Sequence, residues 1–458
     1  MSTKGPPVDV VEVIDSSRYL GWPLAITILT ILIMLVDGYD LQSMSFVAPA
    51  IVADWGVTRA DLSWVLNGSL IGMAIGSVIL GRVGDRIGRK SAFIASLLSL
   101  CAGSLLSARA RGLTDLFIWR TATGIGLGGL TPLAAAFIAE WTPRRVRNVA
   151  VACAIVSVPL GGMLGAIVAQ QVIPPFGWRA IFWIGALMPL LFVLLATLLL
   201  PESPRYLAQI PAHSQRLAAL LNRLVREPRY QGNEHFHVDE PAAPAGNWFS
   251  IIVGREYLRT TLLLWAAFAF NTLGLYSYAN WLPAVLTSAG FTQSQALHEH
   301  TFFNLGGFFG AVGGAFLINR YGSRLVGTGL SMLGVGATLL IGGTLAVSTS
   351  PAPQLTVLIL AAGTAFNGMQ AFLYAVGAHS YPTYVRAAAV GSAQTISRIG
   401  GVLGGLAAGG FFALRPQPPV SVFFYVLGAL VIAVAVSFFL LRTHIPPNRE
   451  HASGERPA

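Results

Sequence analysis

Charge is what this sequence is short of. Asp, Glu, Lys and Arg make up 10% of its 458 residues, against about 25% in an ordinary soluble domain. That scarcity excludes a water-exposed globular surface. Cysteine is nearly absent: Cys101 and Cys153 both fall in apolar runs, so no disulfide framework is implied and two buried free thiols are expected. There is no Gly-x4-Gly-Lys-Ser/Thr, and no ATP site is expected. The first 22 residues carry Asp9, Glu12 and Asp15 and lack the short apolar stretch of a cleavable signal, so the first span itself is expected to direct insertion.

What fills the chain is apolar: 54% hydrophobic residues and 50 glycines, the composition of transmembrane helices packed backbone to backbone. Spans of about 20 apolar residues are predicted at 23–50, 61–81, 91–110, 114–139, 147–172, 178–200, 260–285, 300–318, 325–347, 354–378, 388–413 and 420–441. The fold class is thus an all-α polytopic membrane protein with twelve helices. The single long loop, 201–259, divides an N-terminal six-helix unit (1–200) from a C-terminal one (260–445), leaving a polar, disordered tail (446–458). Within the loop, 214–226 reads as a short surface helix and 232–246 as a flexible linker.

Of the 29 Lys and Arg residues, 22 fall on the side that holds both termini and the even-to-odd loops. Five fall opposite (Arg59, Arg109, Arg111, Arg179, Arg415), and Arg120 and Arg398 lie within spans. This asymmetry predicts cytoplasmic termini. It also explains the net charge of +10 without nucleic acid as a partner.

The halves echo each other. Gly84-Asp85-Arg86-Ile87-Gly88-Arg89-Lys90 after span 2 matches Asn319-Arg320-Tyr321-Gly322-Ser323-Arg324 after span 8. Glu140 through Pro143 to Arg147 after span 4 matches His379 through Pro382 to Arg386 after span 10. A six-span unit repeated in parallel generates a midplane cavity between halves that rock.

The most telling residues are Asp37 and Asp40 of span 1, three apart and so on one helix face. A charged Asp at membrane depth costs about 3 kcal/mol, so such residues face a cavity and act there. Burial and a neighbouring like charge both favour the protonated form, which makes the pair candidates for proton coupling. The structural alternative is that one of them pairs with Arg120 or Arg398 to hold helices together.

These residues carry a family resemblance. The segment from Gly81 to Lys90 resembles the loop 2–3 signature of the major facilitator superfamily. Arg120 with Gly124, Gly126 and Gly128 resembles its span 4 motif, and Pro201-Glu202-Ser203-Pro204-Arg205 its motif after span 6. Asp37-Gly38-Tyr39-Asp40, Trp281-Leu282-Pro283, and Tyr381-Pro382 through Arg386 to Arg398 resemble the aromatic acid:proton symporters. The resemblance implies a proton-coupled importer of aromatic carboxylates in a bacterial inner membrane, a monomer, with Asp85 steadying the outward-facing state. Asn319 stands where the family has an acid.

Arg398, near mid-depth in span 11, is the expected anchor for a substrate carboxylate, since Arg stays charged and grips an acid with a fork. Arg120 is expected to partner an Asp. Tyr276, Asn280, Asn304, Asn367, Gln370 and Tyr374 would supply ring-stacking faces and hydrogen bonds. The structural alternative for each amide is a helix–helix bond, and Trp281 reads equally as an interfacial anchor. Asp85, Arg86, Arg89, Glu140, Arg147 and Arg386 form the expected gate, with Glu140 pairing Arg86, Arg89 or Arg147. His298 and His300 flank Glu299 in what reads as an exterior loop. No metal or cofactor is expected, and no clustered nucleophile suggests an enzyme. A sugar or organic-cation porter is the alternative within transport, and a membrane sensor the one outside it.

Overall fold

The computed structural model describes residues 7–17, 19–225, 229–238, 248–347, 352–414, 416–441 and 443–447. A short strand β1 (Pro7–Asp9) and helix α1 (Val10–Ser16) precede six long helices. These are α2 (Trp22–Trp55), α3 (Ser63–Ile87), α4 (Arg89–Ser107), α5 (Leu113–Trp141), α6 (Arg144–Phe176) and α7 (Arg179–Leu199). The central segment holds α8 (Pro204–Ala208), α9 (Ser214–Asn222), β2 (His235–His237) and α10 (Trp248–Ile252). The second half comprises α11 (Leu258–Ser288), α12 (Gln293–Val347), α13 (Pro353–His379), α14 (Thr383–Ala413) and α15 (Val420–Phe439).

Among the described residues, eleven helices are long and apolar enough to cross a membrane. Helix α12 supplies two passes, because Gly322 (φ 76°, ψ 162°) breaks it, and a residue with a Cβ rarely adopts that backbone. Its first pass, which carries His298, Glu299, His300 and Asn304, is not among those eleven. The total is twelve passes, six in each half. Several helices outrun their predicted spans, notably α2, α6 and α14, whose polar ends continue the helix beyond the apolar stretch.

Small residues set the close crossings. A Cβ on Gly72 or Gly76 of α3 would run into the Thr121 and Ile125 carbonyls of α5, and one on Gly400 or Gly404 of α14 into those of Ala269 and Leu273 on α11. Gly38, between the two aspartates, lies against the Val158 carbonyl of α6. Backbone yields less readily than a side chain, so Gly38→Ala is expected to cost about 1–3 kcal/mol, read as a lowered thermal midpoint of the purified protein.

The loop motifs come together on the face where α2 starts and α15 ends, here the basic face. Glu202 accepts from the backbone N–H groups of Lys90 (3.0 Å) and Ser203 (2.9 Å). Its carboxylate fills the space beside Gly88, which has φ 100°. The start of α4 is therefore held by the segment that follows α7.

The region around 232–246 is not a plain linker where it is described. Strand β2 pairs in parallel with β1, in the register Val8↔Phe236. Val10, Val13 and Ile14 of α1 pack with Leu207, Leu217, Leu221 and Phe236. Apolar side chains on short segments make a small separate core that a compositional reading overlooks. Helix α9 ends at Asn222, short of the expected 226. The tail beyond 447 lies outside the described residues. The two cysteines also differ from expectation: Cys101 is half-buried and Cys153 exposed. In a membrane an apolar thiol gains little by burial, since the lipid is as apolar as the core.

The apolar cores show how the halves meet. On the face opposite the basic one (the far face) a single core contains residues of both halves, including Phe46, Val47, Ile51, Trp281, Leu282 and Phe303. Toward the basic face each half has its own core. The halves are thus joined at the far face and separate toward the basic face.

Candidate functional site

The two span 1 aspartates occupy different environments. Asp40 is fully buried. Arg120 grips it with Nη2 3.1 Å from Oδ2 and Nη1 3.3 Å from Oδ1. Arg120 Nη2 also donates to the Asp40 carbonyl (2.9 Å), and Ser104 Oγ donates to Oδ1 (2.7 Å). The Phe182 ring lies 5.5 Å from the guanidinium carbon. Every partner comes from α2, α4, α5 or α7, so this ion pair is internal to the first half.

Asp37 lies one turn nearer the basic face and is 2% exposed. Its Oδ1 has no hydrogen-bond partner. Asp37 is within electrostatic reach of Asp40 and of Arg398, from the other half. No hydrogen bond joins the two aspartates among the described residues.

Arg398, midway along α14, crosses the seam: its Nη1 donates to the Met73 carbonyl of α3 at 3.1 Å. It forms no ion pair among the described residues. Tyr276 is in the field of Arg398, Asp37 and Tyr374, so these four side chains share one mid-depth region. Tyr374 also contacts Phe268 (5.2 Å between centroids).

Gln370 accepts from Asn271 Nδ2 (2.8 Å) and from Thr272 Oγ1 (3.3 Å), linking α13 to α11. Thr272 in turn bonds Ser397 of α14. Asn367 donates to the Gly363 carbonyl of its own helix (3.2 Å) and fills the space beside Gly307. Asn280 is buried one turn beyond Tyr276, toward the far face. Trp281 does not face lipid as an anchor would: it is 1% exposed and stacked on Phe412 at 5.3 Å.

Asn304 sits apart from that region. It forms a reciprocal amide pair with Gln42 of α2, both bonds at 2.9 Å. His300 Nε2 lies 2.6 Å from Gln42 Oε1. His300 is therefore a fully buried helical residue, not part of an exterior loop. Composition makes the polar run around it look like a loop, because a helix buried between two halves can be polar without touching lipid. Gln42 was missed, although the rule that singled out Asp37, a polar side chain at membrane depth, applies to it as well.

The hydrogen bonds joining the halves between described residues run from the far face to mid-depth. Gln170 donates to Ser294 Oγ (2.9 Å), Gln293 to the Phe46 carbonyl (3.1 Å), and the Gln42 cluster and Arg398–Met73 follow. None lies nearer the basic face than Arg398.

On the basic face, Glu140 pairs with Arg89 (3.6 Å) and accepts from Ser203 Oγ. Arg147 pairs instead with Asp15 of α1 (3.2 Å) and donates through Nε to the Thr142 carbonyl (3.1 Å). Arg386 repeats that bond in the second half, to the Tyr381 carbonyl (3.5 Å). Arg86 is exposed; its carbonyl accepts from the Tyr206 hydroxyl (3.2 Å). The side chain of Asp85 lies outside the described residues. Among the described residues no cluster has the makings of a metal site.

Comparison with known proteins agrees with this architecture. Residues 30–405 match the family described as Major Facilitator Superfamily. The chain is 32% identical over 406 residues to a 4-hydroxybenzoate transporter of Acinetobacter baylyi, covering 88% of each chain. It is 32% identical over 436 residues to a gallate transporter of Pseudomonas putida, covering 94% of each. A benzoate transport protein of Acinetobacter baylyi is 26% identical over 95% of this chain and 92% of its own. The crystal structure of a D-xylose-proton symporter superposes with a TM-score of 0.71 at 18% identity, over 94% of this chain and 99% of that one.

Proposed function

Because the chain belongs to the major facilitator superfamily, we propose that it imports an aromatic monocarboxylate together with a proton, by alternating access across a bacterial inner membrane. The relatives are named as transporters of hydroxybenzoate, gallate and benzoate, which supports the substrate class. The basic face is taken as cytoplasmic on the excess of Lys and Arg there. The structure then represents an inward-facing state, closed outside by the shared core.

One observation carries the coupling: Asp37 is buried at the seam, with an unpartnered oxygen, facing Arg398. Ionised Asp37 and Arg398 balance each other. A substrate carboxylate taken by Arg398 adds a negative charge that an apolar site does not tolerate. A proton on Asp37 restores neutrality, so acid and proton bind together better than either alone. Arg398 has donors to spare for the carboxylate, since Nη1 on Met73 is its one hydrogen bond among the described residues. Tyr276 and Tyr374 supply ring faces. Asp40 and Arg120 act as a fixed pair that keeps α2 in place, and Asn280, Asn367 and Gln370 shape the second half of the cavity. The basic-face residues Asp85, Arg86, Arg89, Glu140, Arg147 and Arg386 act as the inner gate.

The test is uptake of labelled benzoate-type acids, a sugar and a cation into proteoliposomes, with and without an inward proton gradient. Gradient-dependent accumulation of the acids alone supports the proposal; sugar or cation accumulation overturns it. Arg398→Gln is expected to weaken acid binding by about 1.5–3 kcal/mol, roughly 10- to 100-fold. Arg398→Lys restores only part of this, because the ammonium cannot form the fork. Equilibrium binding of labelled acid checks both.

A further inference from the structure

We propose that Gln42, His300 and Asn304 form the outer latch of the transport cycle, three side chains whose hydrogen bonds hold the carrier closed to the outside. All three are buried, at 6%, 0% and 2% exposure. Gln42 Oε1 accepts from Asn304 Nδ2 (2.9 Å) and His300 Nε2 (2.6 Å), while Gln42 Nε2 donates to Asn304 Oδ1 (2.9 Å). Because Gln42 Oε1 only accepts, the His300 ring carries its proton on Nε2, and Nδ1 is left without a partner.

Each side of the latch is fixed within its own half. In the first half the Gln42 amide occupies the space beside Gly162 of α6. In the second, Asn304 Nδ2 also donates to the His300 carbonyl (3.1 Å). The His300 ring meets the edge of Phe46 across the seam, 5.4 Å between centroids. Helices α2 and α12 cannot part at the outer face without breaking all three bonds at once. While the seam is dry nothing replaces them, and once it opens water does. The cluster therefore stabilises the outward-closed state specifically. It also sits on the same helix as Asp37, five residues on, so the helix that carries the coupling acid carries the latch.

The inference rests on the orientation proposed above, and its labelling test needs no substrate. In a Cys101→Ser, Cys153→Ser background, Asn67→Cys places a reporter at a fully buried position beside Gly405 on the α3–α14 seam. A membrane-impermeant maleimide is applied to intact cells and, separately, to inverted vesicles. Adding His300→Leu or Asn304→Leu is expected to raise labelling from outside by roughly fivefold or more, and His300→Gln, which keeps a donor, to bring it back toward the parent rate. The KM for uptake falls together with Vmax, since more carrier waits outward and fewer molecules close. Labelling unchanged from both sides in whichever of the two leucine variants reaches the membrane overturns the latch. Faster labelling only in inverted vesicles overturns the orientation and leaves the latch standing on the other side.

Discussion

Asp37→Asn is expected to abolish gradient-driven accumulation while leaving exchange intact. A one-proton symporter of a monovalent acid concentrates its substrate up to about tenfold per unit of pH difference, because each unit is worth about 1.4 kcal/mol. Asparagine has the shape of protonated Asp37 and no proton to release. The inside-to-outside ratio of labelled acid in proteoliposomes should then fall to about one at any gradient, yet preloaded acid should still exchange for external label. The expectation follows from placement: Asp37 lies at the seam with an unsatisfied oxygen, whereas Asp40 is already held by Arg120 and Ser104. An Asp37→Asn carrier that still accumulates acid in step with the gradient would move the coupling site elsewhere.

Arg120→Gln has the second large effect, on stability. It leaves the Asp40 carboxylate buried and unpaired inside the first half. Breaking a buried pair by removing one partner costs about 3–5 kcal/mol, which is read as a large drop in the thermal midpoint of purified protein. The double variant Asp40→Asn/Arg120→Gln removes both charges and should recover much of the loss, because the cost lies mainly in the orphaned charge. If the double variant is no more stable than Arg120→Gln, the orphaned charge is not the source of the loss. Recovery separates Asp40, as a structural acid, from Asp37.

The sequence carried the helices well because lipid imposes one solution on any apolar run: the backbone must bond internally. Abundant glycine signalled close helix crossings, but only the structure showed that α3 meets α5 and α14 meets α11. The sequence carried less at the ends, where polar residues extend α2, α6 and α14 beyond the apolar core. It misplaced His300, since composition cannot tell a polar helix buried between halves from a loop. It took Asp37 and Asp40 as one unit, because helical spacing gives the face but not the partner.

The amino-acid sequence alone determined that twelve apolar passes in two repeated halves cross a membrane, since that follows from local composition and the need to satisfy every backbone group. Only the tertiary structure decided which acid is paired and which is left open at the seam, and that Gln42 meets His300 and Asn304. Those partners lie scores to hundreds of residues apart. Their meeting depends on how whole helices are rotated against one another, which no local pattern records.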